Sequence, residues 1–225
     1  MRSIIIGDGE IGKSLYNVLC KEHNVQIFDR HPTFEQQPEA FYDWYILHIC
    51  FGYDENFESE VKRYQELYKP KFTVVHSTTP VGTCRKLRAI HSPVVGQHPN
   101  LEDGIQNCVK MLSGEQAGEV ADYFRRAGIR VTLFDKQEAT ELGKLGLTEY
   151  YRACIEFTQR MKTLADKHNL SFHEVYTVPN QIYNEYYGSR QPQFVRPILQ
   201  PIMGEIGGHC VIPNATLISI SENKK

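Results

Sequence analysis

The sequence predicts an α/β protein, a doubly wound parallel sheet followed by a small all-helical segment. Two observations support this fold class. Apolar runs of strand length alternate with helical patterns over about the first 135 residues, which is typical of parallel sheets with helical crossovers. Beyond that point the apolar period is helical, and no proline interrupts it up to residue 169. The chain therefore divides into a sheet domain over 1–136 and a helical segment over 137–225.

The chain opens with a strand, a glycine-rich turn and a helix. Three isoleucines at 4–6 form a buried strand that runs into Gly-Asp-Gly-Glu-Ile-Gly at 7–12, a G-x-G-x-x-G pattern. Here Gly7 permits a tight turn, Gly9 lets the backbone approach a pyrophosphate, and Gly12 lets the helix pack on the sheet. The helix N-terminus attracts the phosphates. This arrangement predicts a dinucleotide site in a Rossmann fold.

A second strand at 25–28 ends at an acidic residue, Asp29. A carboxylate at this position accepts hydrogen bonds from ribose hydroxyls and repels a 2′-phosphate, which favours NAD over NADP. Arg30 and His31 follow directly and weaken that preference, because a cation there accommodates a phosphate. The predicted cofactor contacts of this unit are Gly7, Gly9, Glu10, Ile11, Gly12, Asp29 and Arg30.

The remaining strands and helices of the sheet domain alternate along the chain. Strands are predicted at 44–50, 72–76, 94–95, 109–112 and 130–134, and helices at 57–68 and 115–127. Pro70 ends the first of these helices and Gly128 ends the second. The strand at 72–76 opens into a turn at 77–83, Ser-Thr-Thr-Pro-Val-Gly-Thr, which precedes another helix.

The helical segment carries an apolar stripe at helical spacing. Its members are Tyr150, Cys154, Phe157, Met161 and Leu164. The stripe is long enough to pack on a partner as well as on its own domain, which predicts a homodimer. A second helix is predicted over 172–187, with a break at Pro179 left open, and the Pro- and Gly-rich remainder from 194 to 225 is expected to be mostly loop.

Composition excludes several classes of function. The formal net charge of −2 gives no case for nucleic acid as a main partner, and no stretch has the apolar length of a membrane span. The strand so close to the N-terminus leaves no room for a signal peptide. Six scattered cysteines form no C-x-x-C pair, and no H-E-x-x-H occurs, so neither a metal site nor a disulfide scaffold is predicted. A cytoplasmic protein is the expectation.

Two segments beyond the sheet carry reactive side chains. On the long helix Glu141, Lys144 and Thr148 share one face, although a solvated Glu–Lys pair explains the same spacing. Near the C-terminus, Gly-Gly-His-Cys at 207–210 places Cys210 beside backbone N–H groups and a histidine. Such a setting lowers a thiol pKa and suits a nucleophile, while an inert buried cysteine is the alternative.

Four segments, taken in order, resemble the UDP-glucose/GDP-mannose dehydrogenases, a family of NAD-dependent nucleotide-sugar oxidases. They are the glycine-rich turn with Asp29, the turn at 77–83, Glu-Leu-Gly-Lys-Leu at 141–145, and Gly-Gly-His-Cys at 207–210. The resemblance extends over nearly the whole chain. It implies that Thr78, Pro80 and Thr83 line the nicotinamide side of the site.

The resemblance also implies a chemistry. A cysteine thiolate adds to a sugar aldehyde, hydride passes to NAD, and water hydrolyses the resulting thioester, while a lysine stabilises the oxyanion. The matching residues are Cys210 as nucleophile and Lys144 as stabiliser or proton shuttle, with Thr148 and Glu141 on the same helix face.

The chain departs from the family pattern at three places. Thr148 stands where the family has an asparagine, and Asn100 stands where it has a glutamate that assists thioester hydrolysis; Glu102 is a candidate substitute. The family's C-terminal nucleotide-binding domain has no counterpart in this sequence. The missing domain puts a nucleotide-sugar substrate in doubt, unless another subunit completes its pocket.

The sequence therefore predicts an NAD-dependent dehydrogenase that oxidises an alcohol on a sugar-like or acidic substrate. Two alternatives remain open. In a two-electron hydroxyacid dehydrogenase, Lys144 is the acid/base and Cys210 is incidental. In a non-catalytic dinucleotide-binding protein, only the cofactor site is kept, and the residues at 100 and 148 favour this alternative.

Overall fold

The structure, a computed structural model, describes residues 1–31, 43–96, 98–202, 204, 206 and 211–222, with the side chains of 211–213 and 215 excepted. These residues group into two compact units. The first comprises Met1–Lys144 and Ile220 onward, and the second comprises Leu145–Ser219.

The first unit is built on a seven-stranded sheet. The strands are β1 (Arg2–Ile6), β2 (Asn24–Phe28), β3 (Ile46–Ile49), β4 (Phe72–Val75), β5 (Ile90–His91), β6 (Lys110–Ser113) and β7 (Val131–Phe134). Their spatial order is β2-β1-β3-β4-β5-β6-β7, and the first five run parallel. This order places a topological switch point between β1 and β3, and the predicted α/β fold class is confirmed.

The sheet departs from the sequence-based prediction at β5 and β6. The strand expected at 94–95 lies instead at Ile90–His91, because Pro93 cannot donate to the ladder, and Val94 is buried in a loop. β6 pairs antiparallel with β5, and β7 pairs parallel with β6. The connection holds a helix of seven residues, about 10 Å long, and does not carry the chain back to the amino ends of the strands.

Helices cover both faces of the sheet. They are α1 (Glu10–Leu19), α2 (Phe57–Tyr68), α3 (Thr83–Lys86), α4 (Leu101–Asn107) and α5 (Ala117–Arg126). Ile5 packs in a cluster with Leu15 and Phe124, while Ile4 and Ile6 pack on the other face. Because both faces of β1 are buried, its apolar residues form an uninterrupted run rather than an alternating pattern.

The core of the first unit also holds a buried polar chain. His48 Nδ1 lies 3.0 Å from His76 Nε2, and His76 Nδ1 lies 2.9 Å from the carbonyl oxygen of Ser92. Lys110 Nζ lies 3.5 Å from the same carbonyl and 5.2 Å from the ring centre of Phe124. Burial lowers the pKa of Lys110 to about 8 and that of His48 to about 3, because the charged forms lose their hydration.

The long helix α6 (Gln137–Lys167) continues from the first unit into the second. A π-helical segment (His173–Thr177) then leads directly into α7 (Val178–Gly188). Pro179 stands in the first turn of α7, where its missing N–H costs no hydrogen bond, so the predicted helix continues through it. In the described part of the chain, no helix is long and apolar enough to cross a membrane.

The expectation that residues 194–225 are mostly loop holds for 195–202 but is wrong for 211–222. After a short 3₁₀ turn (Pro192–Phe194), a further helix, α8 (Val211–Glu222), occupies twelve residues of this region. Its sequence conceals it, because the apolar residues are not confined to one face and several are β-branched. Pro213 lies within its first turn, a position where a helix tolerates proline.

Candidate functional site

The first and third glycines of the glycine-rich turn are required by backbone contacts. Gly7 has φ +104°, and a Cβ there would lie 2.9 Å from backbone atoms of Cys50 and Phe51. A Cβ on Gly12 would lie 1.9 Å from the carbonyl oxygen of Gly7. Neither position admits a side chain, so these glycines fix the turn at the carboxyl ends of β1 and β3.

The middle glycine is different. A Cβ on Gly9 would meet no atom within 4 Å, and its φ of −68° suits any residue. Gly9 stands at the N-terminus of α1, where no side chain of the described residues caps the free N–H groups. The next side chain, Glu10, accepts from His98 Nδ1 at 2.6 Å. Nothing within the described protein explains a glycine at position 9.

The acidic residue after β2 is exposed and solvent-accessible. Asp29 Oδ1 accepts from the backbone N–H of His31 at 2.9 Å, and this hydrogen bond lowers the pKa of Asp29. Asp29 is therefore ionised at neutral pH, and a carboxylate stands at the end of β2 as the sequence predicts.

The neighbouring cation is held by carboxylates. The Arg30 guanidinium lies 2.6 Å from Asp54 and 2.7 Å from Glu60, and its carbon lies 4.7 Å from the centre of the Phe51 ring. The hydrogen bonds to these carboxylates raise the pKa of Arg30. Because its charge is compensated twice, Arg30 is not a free anion-binding group.

Three of the four hydroxyls in the turn at 77–83 have partners within the protein. Thr83 is fully buried and donates to the carbonyl oxygen of Pro80 at 2.7 Å, and Ser77 donates to the carbonyl of Phe51. Thr78 is half-buried, and its hydroxyl has no partner among the described residues. Of the residues predicted to line the nicotinamide side, Thr78 is thus the one with a hydroxyl free to contact a ligand.

Glu141 is fully buried against this turn. Its Oε2 accepts from the backbone N–H of Gly82 at 2.6 Å, and its Oε1 accepts from the N–H of Cys84 at 2.8 Å. The hydroxyl of Thr79 lies 3.3 Å from Oε1. Both carboxylate oxygens are therefore committed to the turn, and α6 is tied to it at this point.

The other two predicted residues of α6 also have defined partners. Lys144 Nζ donates to the carbonyl oxygen of Val94 at 2.9 Å, within the first unit. Within the second unit, Asn214 Nδ2 donates to Thr148 Oγ1 at 3.1 Å. Asn214 is buried, and the sequence analysis missed it as a site residue because α8 was not predicted. Its position four residues after Cys210 in the sequence is the signal that could have found it.

The predicted nucleophile lies outside the described residues. The motif Gly-Gly-His-Cys at 207–210, including Cys210, belongs to this part of the chain. Glu102, the candidate substitute for the family glutamate, accepts from Asn17 Nδ2 of α1 at 3.0 Å and lies 3.7 Å from Nζ of Lys21, which follows α1. Among the described residues, no group of three or more His, Cys, Asp or Glu side chains could hold a metal ion.

No protein-family model matches the chain, and neither does any curated protein sequence. Solved structures do. The UDP-D-ManNAc dehydrogenase of Pyrococcus horikoshii matches with a TM-score of 0.79 at 16% identity, over 100% of this chain and 65% of that one. A UDP-glucose dehydrogenase of Pyrobaculum islandicum matches with a TM-score of 0.75 at 15% identity, over 97% of this chain and 63% of that one.

The likeness extends to a different class of dehydrogenase. The 3-hydroxyisobutyrate dehydrogenase of Mycobacterium tuberculosis matches with a TM-score of 0.63 at 15% identity, over 88% of this chain and 76% of that one. The chain spans less than two thirds of the length of the two UDP-sugar dehydrogenases. At these identities the comparisons establish the fold alone, a Rossmann-type α/β fold that this chain shares with those dehydrogenases.

Proposed function

We propose that the protein binds a nicotinamide dinucleotide, NAD in preference to NADP, and oxidises an alcohol on a sugar-like or acidic substrate. The observation that carries the proposal is the middle glycine of the turn. Gly7 and Gly12 are explained by packing, whereas Gly9 faces open space at an uncapped helix N-terminus. A pyrophosphate approaching the backbone explains why this position has no side chain.

The preference for NAD rests on the charges after β2. Asp29 is exposed and ionised, and Arg30 is compensated by Asp54 and Glu60. The groups at this end of the site therefore sum to a negative charge, which repels a 2′-phosphate and accepts hydrogen bonds from a 2′-hydroxyl.

When bound, the nicotinamide ring supplies the hydride acceptor. The chain's own contribution is a base that accepts the substrate proton. Lys144, whose Nζ donates to the carbonyl oxygen of Val94, is the candidate: in its neutral form the amine accepts the proton of the substrate hydroxyl. The alcohol carbon gives up its hydride and its oxygen gives up a proton, so a carbonyl forms. Thr78 provides a free hydroxyl for orienting the cofactor.

Calorimetric titration with NADH and NADPH tests the cofactor proposal. We expect NADH to bind more tightly, and Gly9→Val to weaken it by about 100-fold or more while the unfolding midpoint is unchanged. Gly118→Val is the matched control, because a Cβ on Gly118 also meets nothing within 4 Å. Equal binding of NADPH would contradict the stated preference, and undiminished NADH binding by Gly9→Val would contradict the site.

A hydroxyacid dehydrogenase is the second candidate, favoured by the fold likeness to 3-hydroxyisobutyrate dehydrogenase. The two candidates differ in stoichiometry. Oxidation through a thioester at Cys210 yields two NADH per substrate, whereas a single alcohol oxidation by Lys144 yields one. Absorbance of NADH at substrate exhaustion separates them. Cofactor binding without turnover over sugar and hydroxyacid panels would favour the binding-only alternative.

A further inference from the structure

Two buried connections tie the turn at 77–83 to the first turn of α6. One is Glu141, whose carboxylate accepts from Gly82 N, Cys84 N and the hydroxyl of Thr79. The other is His91, which lies 3.2 Å from the carbonyl oxygen of Ser77 through Nε2. His91 contacts the start of the turn and Glu141 contacts its middle and its end, so the turn is anchored at both ends.

The protonation of His91 follows from its partners. A carbonyl oxygen only accepts, so Nε2 carries the proton and Nδ1 accepts from the Thr140 hydroxyl at 2.8 Å. Burial lowers the pKa of His91 to about 4, which keeps the ring neutral at physiological pH. Thr140 and Glu141 are adjacent on α6. The first is linked to the turn through His91, and the second contacts the turn directly.

Lys144 stands on the same helix, three residues after Glu141 and four after Thr140. It is therefore one helical turn away from both connections. If the turn moves relative to α6, the distance between Lys144 and a ligand bound at the turn changes. Burying a carboxylate costs free energy, and the Glu141 carboxylate is compensated by two donors from the turn, Thr79 and Gly82, and by the N–H of Cys84 directly after it.

We propose that Glu141 is a positioning residue that couples the nicotinamide half of the cofactor site to Lys144. It does not touch reacting atoms, because both of its oxygens are committed to the turn. The inference rests on the proposed dinucleotide site. Glutamine has the same shape but presents an NH₂ group where the carboxylate accepts, so it sets a donor against the N–H of Gly82 or Cys84.

Two ligands separate this role from a general effect on folding. NADH occupies the whole cofactor site, while ADP-ribose has the adenosine and both phosphates but no nicotinamide. We expect Glu141→Gln to weaken NADH binding by about tenfold and to leave ADP-ribose binding within about twofold of wild type. Glu138→Gln is the matched control: Glu138 lies one turn earlier on α6 and pairs with the exposed side chain of Arg85 rather than with the backbone of the turn. It should change neither affinity.

The outcomes are distinct. Equal weakening of NADH and ADP-ribose, or no weakening of either, by Glu141→Gln overturns the positioning role while the dinucleotide site stands. Failure of the wild-type protein to bind both ligands overturns the dinucleotide site itself. If Glu141→Gln does not fold, Thr79→Val removes one donor to Glu141 with little change of shape. It should weaken NADH selectively by a smaller factor, and an unchanged NADH-to-ADP-ribose ratio would overturn the role.

Discussion

Lys110 brings an ammonium group into the core without a carboxylate partner among the described residues. It is 6% exposed, and its surroundings are the Ser92 carbonyl and the Phe124 ring. Because burial lowers its pKa to about 8 from 10.5, the unfolded chain binds more protons than the folded one between these values. The contribution of Lys110 to stability therefore rises as pH increases from about 8 to about 10.5.

Replacing this lysine tests that sign. We expect Lys110→Met to raise the free energy of unfolding at pH 7 by about 2–3 kcal/mol, and to flatten its rise between pH 8 and 10. Urea unfolding at pH 7, 8, 9 and 10 measures both effects. Lys71→Met is the control, because Lys71 is exposed and paired with Glu119. A parallel rise in wild type and Lys110→Met would show that Lys110 is not the titrating group.

The buried histidines determine how the stability of the fold changes at acidic pH. Desolvation lowers the pKa values of His48 and His91 to about 3 and 4, and that of His76 well below its usual range. The folded state keeps them neutral while the unfolded chain protonates below about 6.5, so stability falls as pH decreases through that value. We expect a loss of about 1.4 kcal/mol per pH unit for each histidine below pH 6, measured by urea unfolding. His48→Leu should reduce that slope, while exposed His168→Gln should not.

At the scale of secondary-structure elements, sequence patterns predict the helices and strands that depend on local interactions. The βαβ unit, α2, α5 and α6 follow from apolar period, proline and glycine, and each is present. The reversed direction of β6 does not follow from such patterns, because it depends on the path of the connection from β5. The helix α8 does not follow from them either, because it depends on the contacts of its buried residues. In the site, the glycines and Asp29 were visible in sequence, whereas the Arg30–Asp54–Glu60 and Thr148–Asn214 contacts join residues far apart in the chain.

Substitutions in the apolar stripe on α6 test the predicted homodimer. Within the second unit, Tyr150, Phe157 and Leu164 are 62%, 53% and 39% exposed, although they are large apolar side chains. We expect a dimeric mass by light scattering at micromolar concentration, and a monomeric mass for Phe157→Glu. Ile182→Glu on α7 is the control, since Ile182 is 63% exposed but off the stripe. A monomeric wild-type protein would contradict the predicted dimer. A dimer that persists in Phe157→Glu would contradict its assignment to the stripe.

At the scale of the whole molecule, the reactivity of each of the six cysteines depends on its exposure and on the pKa of its thiol. Cys50 and Cys84 are buried, and desolvation raises the pKa of Cys50 to about 12 and that of Cys84 well above its usual range. Alkylating agents attack thiolates, so these two should react only on unfolding. Cys20 is exposed, so alkylating agents should reach it in the folded protein.

Cys210 distinguishes the two dehydrogenase mechanisms. If it is the nucleophile, its thiolate forms below the ordinary thiol pKa of about 8.5, and its alkylation rate reaches half its maximum at a lower pH than that of Cys20. Peptide mass spectrometry after timed iodoacetamide exposure between pH 6 and 9 gives both rates. Bound NADH should alter the rate at Cys210 and leave Cys20 unchanged. Rates for Cys210 that follow those of Cys20 at every pH would remove the thioester route and leave Lys144 as the acid/base.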